Sequence, residues 1–369
     1  MNQVFAAVRH SDSTRSGWGG FASPRSRRIL YVGPMLAGST TVQRFRALQD
    51  LGYEMMSVTT VSAGARRTQP SLMTRVRGKL LGQHDQTHAN QAILAAIQQH
   101  AFDLAWIDKG LTIEPGTLRA IRNLQPQCRI VGFSPDDMMN PCNQSANFLL
   151  ALPVYHVYVT TKSYNVSELR QLGCIEPVFI ENGYDPHTHR PMRVTPVERT
   201  ALGGSVGFVG QWEPERAASL RGVALAGVAA RVWGYTWERM THVPPSLRLE
   251  NRPLWGDDYA RAISAFDINL CFLRKCNRDL QTTRTVEIPA CGGFMLAERT
   301  AEHLGLFEEG REAEFFSSPE ELLAKTRYYL QHPEPRQRIA RAGYARCQRS
   351  GYSYRDRLQR VLQDVLHDE

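Results

Sequence analysis

The segment RDLQTTRTVEIPACGGFMLAE, Arg278 to Glu298, places Asp279, Arg284 and Glu287 among threonines just ahead of a proline and two glycines. It follows the strand-like run INLCFLR, so its loop opens at a strand's carboxyl end, and a short helix starts with Thr282 or Thr283 as N-cap. A helix start offers unpaired amides and partial positive charge, and Arg284 adds a forked cation suited to phosphate. Glu287, one turn in, has the oxygens to accept two hydrogen bonds from a vicinal diol such as ribose. It equally suits a pair with Arg284, its i−3 neighbour.

Other chemistry-bearing residues stand at comparable strand ends. VGPMLAGSTT puts Gly33 and Gly38 in a strand-to-helix loop, where backbone approaches a ligand closely or simply turns. GFSPDDMMN sets Asp136 and Asp137 just past a strand, as a general base for an acceptor hydroxyl or as a helix cap. Lys162 in TTKSYN lies beyond a further strand end, either facing the cleft or standing in a polar cluster in which Thr161 or Ser163 caps a helix. GGSVG fits a nucleophile-elbow pattern but precedes a strand, so Ser205 lacks the required context. His84 with His88, and His187 with His189, lack a third metal ligand nearby.

These loops need a scaffold, and the periodicity supplies one. RRILYVGP, YEMMSVTT, FDLAWIDKG, CRIVGFSPDD and VYVTT read as strands alternating with helices such as STTVQRFRALQDLG and PGTLRAIRNLQ. That alternation predicts right-handed crossovers and a parallel sheet covered on both faces. The pattern breaks at 186–204, rich in Pro, Gly and charge, and restarts with SVGFVGQW, ARVWGY, INLCFLR, FMLAE and EAEFFSS. The expectation is α/β: a flexible tail over 1–27, a Rossmann-like domain over 28–185, a linker over 186–204, a second Rossmann-like domain over 205–350 and a final helix over 351–369. Two such domains make a cleft, and ligands collect outside the carboxyl ends of their strands.

Composition narrows the function classes. No apolar run in the 369 residues reaches the roughly 18 to 20 that span a bilayer. Half of the net charge of +8 sits in residues 1–30, with five Arg against one Asp, so no concentrated basic face for nucleic acid is indicated. A modest basic surface still suits an anionic nucleotide or lipid. Seven cysteines without CxxC spacing point to a reducing, cytoplasmic setting, with association at the inner membrane face left open.

The run from TTRTVEIPACGGFMLAE through RQRIARAGY, with GFVGQWEPER, VWGYTW and GDDYARAISAFDINLCFLRK, resembles the nucleotide-sugar-binding module of GT-B glycosyltransferases. With FSPDDM, TTKSYNVSELRQLG and NGYDPHTHRP, it is most similar to the CgeB-like spore-maturation branch. The resemblance covers most of residues 130–355 and implies a GT-B fold: two doubly wound domains facing a cleft.

Retaining family 4 enzymes of that fold carry Glu-x7-Glu, the second acid on the donor ribose and the first on the sugar. Glu287 matches the second, and Asp279 stands where the first would be, an Asp for a Glu. The family's diphosphate cations map near Gln211 and Arg216 of GFVGQWEPER, beside Gly210, which makes Arg216 and Arg284 the candidate pair. Trp212, Trp233 and Tyr259 are candidates for shaping the base or sugar pocket.

The resemblance implies transfer of a sugar from a nucleoside-diphosphate donor to a hydroxyl of a glycan, lipid, protein or small molecule. Retention and the absence of metal or other cofactor are expected; the sequence has no Asp-x-Asp. A nucleotide-sugar epimerase and a non-catalytic nucleotide-sugar or glycan binder are the alternatives.

Overall fold

The computed structural model describes residues 27–62 and 84–366. The tail expected over 1–27 therefore lies outside the described residues, apart from Arg27.

Among the described residues, twelve strands form two parallel sheets of six. The first holds β1 (Arg28–Gly33), β2 (Glu54–Thr59), β3 (Leu104–Asp108), β4 (Arg129–Ser134), β5 (Val157–Thr160) and β6 (Pro177–Phe179). Their order is β2-β1-β3-β4-β5-β6. The second holds β7 (Gly204–Val209), β8 (Ala230–Trp233), β9 (Leu247–Leu249), β10 (Phe266–Cys271), β11 (Met295–Glu298) and β12 (Glu314–Phe316), ordered β12-β11-β10-β7-β8-β9. Counted within its own half, the second order is 3-2-1-4-5-6, that of dinucleotide-binding sheets. Strand order reverses between β1 and β3 in the first sheet and between β7 and β10 in the second, and such reversals open the crevice where ligands bind.

Continuous apolar runs explain why these strands are central. β3 and β5 are buried at every position, as strands covered by helices on both faces must be. One face of the first sheet packs against the helices Ala89–Gln99, Pro115–Leu124 and Ala146–Ala151 through Ile93, Leu118, Ile121 and Phe148. Its other face is covered by Thr40–Asp50 and by the last helix, Tyr354–Leu366.

That last helix starts at the end of the second domain yet buries Tyr354, Leu358, Val361, Leu362 and Val365 among Ile29, Tyr31, Leu104 and Trp106 of the first. Each apolar side chain so buried contributes about 1.5–3 kcal/mol before entropy is counted. The chain therefore crosses between domains twice, and the crossings lie side by side. Tyr354 donates its amide to the Tyr184 carbonyl at 2.8 Å, and Tyr184 donates to that of Tyr352 at 3.2 Å. A Cβ on Gly183 would stand 2.9 Å from the Tyr354 nitrogen, so only glycine lets the two crossings meet.

The region 186–204 is not plain linker. It contains the helix Pro196–Leu202, whose start is a full capping box between Thr195 and Glu198 with Pro196 where a missing amide costs nothing. Strand β9 and the helix Ala301–Leu306 also go beyond the sequence reading. Both are short, three and six residues, too brief for a period to show.

Candidate active site

At the end of β7 the chain turns through Gly210, and a Cβ there would meet the Phe208 ring at 2.6 Å and the Arg284 Nη1 at 3.4 Å. Two guanidiniums share that ring: Arg216 and Arg284 each lie 5.6 Å from its centroid. Arg216 is buried, bonded to the carbonyls of Gln211 at 3.0 Å and of Leu273 and Phe272 at 3.4 Å. Its nearest carboxylate, Glu213, is 3.9 Å away, and Glu213 already takes Arg274 Nε at 2.7 Å. Burial, then the like charge of Arg284, push the Arg216 guanidinium down to about 10, which leaves it a cation at neutral pH. Arg284 has no ion pair among the described residues, and its Nε is buried without a partner. Two close cations with no carboxylate nearer than 3.9 Å among the described residues are an arrangement suited to an anion.

Thr283 is the boundary residue of the helix Arg284–Ala290, but its side chain makes no cap. The turn is held by a chain instead. His303 Nδ1 donates to the Glu298 carbonyl at 2.6 Å, leaving Nε2 to accept from the Thr285 hydroxyl at 2.9 Å, whose oxygen accepts the Thr282 amide at 3.0 Å. Burial lowers His303, in keeping with that neutral tautomer.

Glu287 is buried one turn along. Its Oε2 accepts from Tyr259 at 2.8 Å, while among the described residues Oε1 has only His189 Nε2 at 3.6 Å. Nδ1 of His189 accepts the Asp185 amide at 3.1 Å, so the hydrogen sits on Nε2, facing Glu287. Burial lowers His189, outweighing Glu287 and Asp185, and the ring is neutral. Tyr259 therefore orients Glu287 rather than lining an open pocket.

Trp233 departs further from expectation. It is fully buried, its indole donates to the Leu202 carbonyl at 2.9 Å, and Arg231 and Arg252 lie over it at 4.7 and 4.5 Å. It is core, because the strand directs it into the interior. Trp212 is part-buried under the Arg239 guanidinium at 5.2 Å, with its indole nitrogen unpartnered.

Between the domains lies a cavity of about 360 Å³ lined by Ser39, Thr40 and Thr41, by Lys109, Asp136 and Lys162, and by Arg274, Asn277, Asp279, Thr282 and Thr283. It sits at the carboxyl ends of strands from both sheets. Asp279 accepts from Lys162 Nζ at 2.5 Å and from Asn277 Nδ2 at 2.9 Å, both on Oδ1, and more distantly from the Arg274 amide at 3.4 Å on Oδ2.

The two candidate bases differ. Asp136 lines the cavity and pairs with Lys109 at 2.5 Å. Burial alone would raise its carboxyl, but Lys109 reverses this and holds it below the ordinary value. Asp137 is spent on structure. Both its oxygens take the Arg278 fork at 2.7 and 2.8 Å, and Oδ1 also takes Asn165 Nδ2 at 2.9 Å and the Met139 amide at 3.0 Å. Nor do the glycines of the first loop approach an open site. A Cβ on Gly33 would stand 2.8 Å from Asp108 Cβ, and Gly38, at φ +72, faces Trp255 at 3.4 Å.

Sequence reasoning missed Arg278, Asn277, Lys109, Asn182 and His189 as members of this region. The HTH histidines read as a failed metal pair, and in the structure they part: His187 is exposed beside Asp50 at 2.8 Å, while His189 turns inward. The one local signal was Asp185, which accepts the His187 amide at 3.1 Å and thereby sets the turn.

Residues 216–363, within the second domain and the last helix, match the family model described as glycosyl transferase-like. No curated protein is similar to the chain at a significant level. Among solved structures the chain is similar to a glycosyltransferase from Rickettsia africae, at 11% identity and TM-score 0.64, covering 94% of this chain and 100% of that one. It is also similar to Anabaena HepE in complex with UDP and glucose, at 13% identity and TM-score 0.59 over 92% and 99% of the two chains. Sucrose-phosphate synthase from Thermosynechococcus elongatus gives 11% identity and TM-score 0.63 over 93% and 100%. The fold is GT-B.

Proposed function

We propose that the chain is a glycosyltransferase that moves a sugar from a nucleoside-diphosphate donor, held by the second domain, to a hydroxyl acceptor in the interdomain cavity. The observation that carries this reading is the pair Arg216 and Arg284, two cations on the Phe208 ring with no ion pair at hydrogen-bond distance. A departing nucleoside diphosphate gathers negative charge on its phosphate oxygens, and cations fixed in advance stabilise that charge without reorganising. The glycosyl transferase-like match over 216–363 contains both arginines, and HepE, of the same fold, was solved with UDP.

In this reading the diphosphate lies on Arg216 and Arg284 beside Gly210, the ribose meets Glu287 through Oε1, and the sugar reaches Asp279 past Thr282 and Thr283. Tyr259 and His189 hold Glu287 in place, and Trp212 flanks the base. The two guanidiniums take the part of a metal, so turnover is proposed to be metal-independent. Retention is proposed as well, supported by the pairing of both cavity carboxylates, Asp136 with Lys109 and Asp279 with Lys162, which leaves neither as a free base. The acceptor is proposed to be polyhydroxylic, since the first-domain wall offers Ser39, Thr40, Thr41 and Asn182.

The test incubates the protein with UDP-, GDP- and ADP-sugars and a set of glycan acceptors, with and without EDTA, and follows products by NMR. Release of the nucleoside diphosphate with a retained anomeric centre, unaffected by EDTA, is the expected result. Isomerised donor without acceptor would establish an epimerase instead, and binding without any turnover a carrier protein.

A further inference from the structure

Asp279 belongs to the second domain, yet its shortest bond comes from the first. Lys162 follows β5, and its Nζ reaches Asp279 Oδ1 at 2.5 Å with both side chains 3% exposed. At that burial neither charge is tolerable alone, because each ion out of water depends on its partner. The ammonium is placed by its own backbone, whose amide donates to Thr160 Oγ1 at 3.1 Å. Among the described residues Oδ2 of Asp279 keeps only the long bond from the Arg274 amide, 3.4 Å, and so retains acceptor capacity for a sugar hydroxyl.

The loop bearing Asp279 is tied to the first domain at every step. Asn140 Nδ2 donates to the Cys276 carbonyl at 2.7 Å, the Tyr164 hydroxyl donates to the Asn277 carbonyl at 2.7 Å, and the Asp137 amide donates to Asn277 Oδ1 at 3.0 Å. Arg278 then forks onto Asp137, reaches Glu168 at 3.0 Å and lies 4.4 Å over the Tyr164 ring. Arg278 has φ +46, a left-handed backbone that a side chain adopts only where its surroundings over-determine it. The clasp spends that strain to bring the loop up to Lys162.

We propose that Lys162 is a positioning residue of the donor-sugar site, supplied by the opposite domain and delivered by the Arg278 clasp. This rests on the glycosyltransferase reading, with the donor sugar at Asp279. Lys162 neutralises a carboxylate that would otherwise repel an anionic donor, and it fixes which oxygen faces the sugar. With the domains apart, both groups return to water and the sugar site ceases to exist. Donor phosphate binding, on Arg216 and Arg284, does not need the clasp.

The experiment uses the full chain and two probes, UDP and UDP-glucose. Affinities are measured by calorimetry, turnover by UDP release, and domain separation by small-angle scattering for K162M, K162R, R278A, D279N and K162M/D279N. K162M is expected to lower kcat about 100-fold and weaken UDP-glucose while UDP stays within three-fold, with K162R recovering part of the loss. R278A is expected to enlarge the radius of gyration and follow the same split. K162M/D279N, which buries no unpaired charge, is expected to be no worse than D279N, since the two residues act as one unit. A purely structural role would lower the melting temperature without separating UDP from UDP-glucose. If K162M turns over within two-fold of the unmodified protein, or the losses in K162M and D279N simply add, the proposal is overturned. Failure of the unmodified protein to bind UDP, GDP or ADP would overturn the underlying reading instead.

Discussion

Each domain buries an arginine in the helix that follows its first strand, and the two are used in opposite ways. Arg44 in the first domain meets Asp108, whose Oδ2 accepts from its Nε at 2.9 Å, its Nη2 at 2.6 Å and the Tyr31 hydroxyl at 2.8 Å. Its guanidinium also lies 4.2 Å over the Phe133 ring. Burial disfavours the cation, yet Asp108 reverses that and holds Arg44 above its ordinary value. Arg216 in the second domain finds three carbonyls, a ring and a second arginine, and is pushed down. One charge is satisfied from within and belongs to the fold. The other has no carboxylate nearer than 3.9 Å among the described residues, and under the proposed function its missing anion is the donor's diphosphate.

The sharpest way to break this comparison is to remove each charge while keeping its bulk. Arg44→Met leaves Asp108 buried without its cation, and urea denaturation is expected to report a loss of about 3–5 kcal/mol. Arg216→Met removes an ion whose nearest carboxylate is 3.9 Å away and leaves its backbone carbonyls without a donor, so a smaller loss of about 1–3 kcal/mol is expected while kcat/KM falls about 10²–10³-fold. Equal destabilisation by both would erase the distinction.

Glu287→Gln should have a smaller effect, because the amide keeps a carbonyl for Tyr259 or for a diol but not both. A rise in donor Kd of about ten-fold, with the melting temperature nearly unchanged, is expected from calorimetry and thermal denaturation. Unchanged affinity would remove Glu287 from the ribose.

The smallest effect concerns acid. Burial would raise the Asp137 carboxyl, but Arg278 and Asn165 hold it below the ordinary value, and Lys109 does the same for Asp136. Both bind fewer protons folded than unfolded, so their contribution is present above about pH 4 and is lost as pH falls through the lowered values. Because Arg278 and Lys109 are partly exposed, each amounts to about 1 kcal/mol or less. Asp137→Asn should therefore flatten the stability profile slightly below about pH 4, and an unaltered slope would show that the clasp carries no charge-dependent stability.

The sheets, their order of appearance and the strand-end loops were legible because each rests on a local period. Asp279, Arg284, Glu287 and Arg216 stood out because their charges interrupt apolar runs at strand ends. What the sequence hid was pairing across distance. Lys162 meets Asp279 from 117 residues away and Arg278 meets Asp137 from 141, and no local pattern encodes either. Trp233 failed for another reason: an aromatic at a strand end looks the same whether it faces the cleft or the core, and the fold turned it inward. Thr282 and Thr283 marked the right turn but the wrong bond, since Thr285 and His303 hold it.

The central claim is that Arg216 and Arg284 wait for a diphosphate. Calorimetric titration of UDP and of uridine into the unmodified chain and the R216M/R284M double variant tests it most directly. The account predicts that UDP binds the unmodified chain, loses at least 100-fold in the double variant and weakens with added salt, while uridine binding is the same in both. Equal UDP affinity in the two proteins would contradict it.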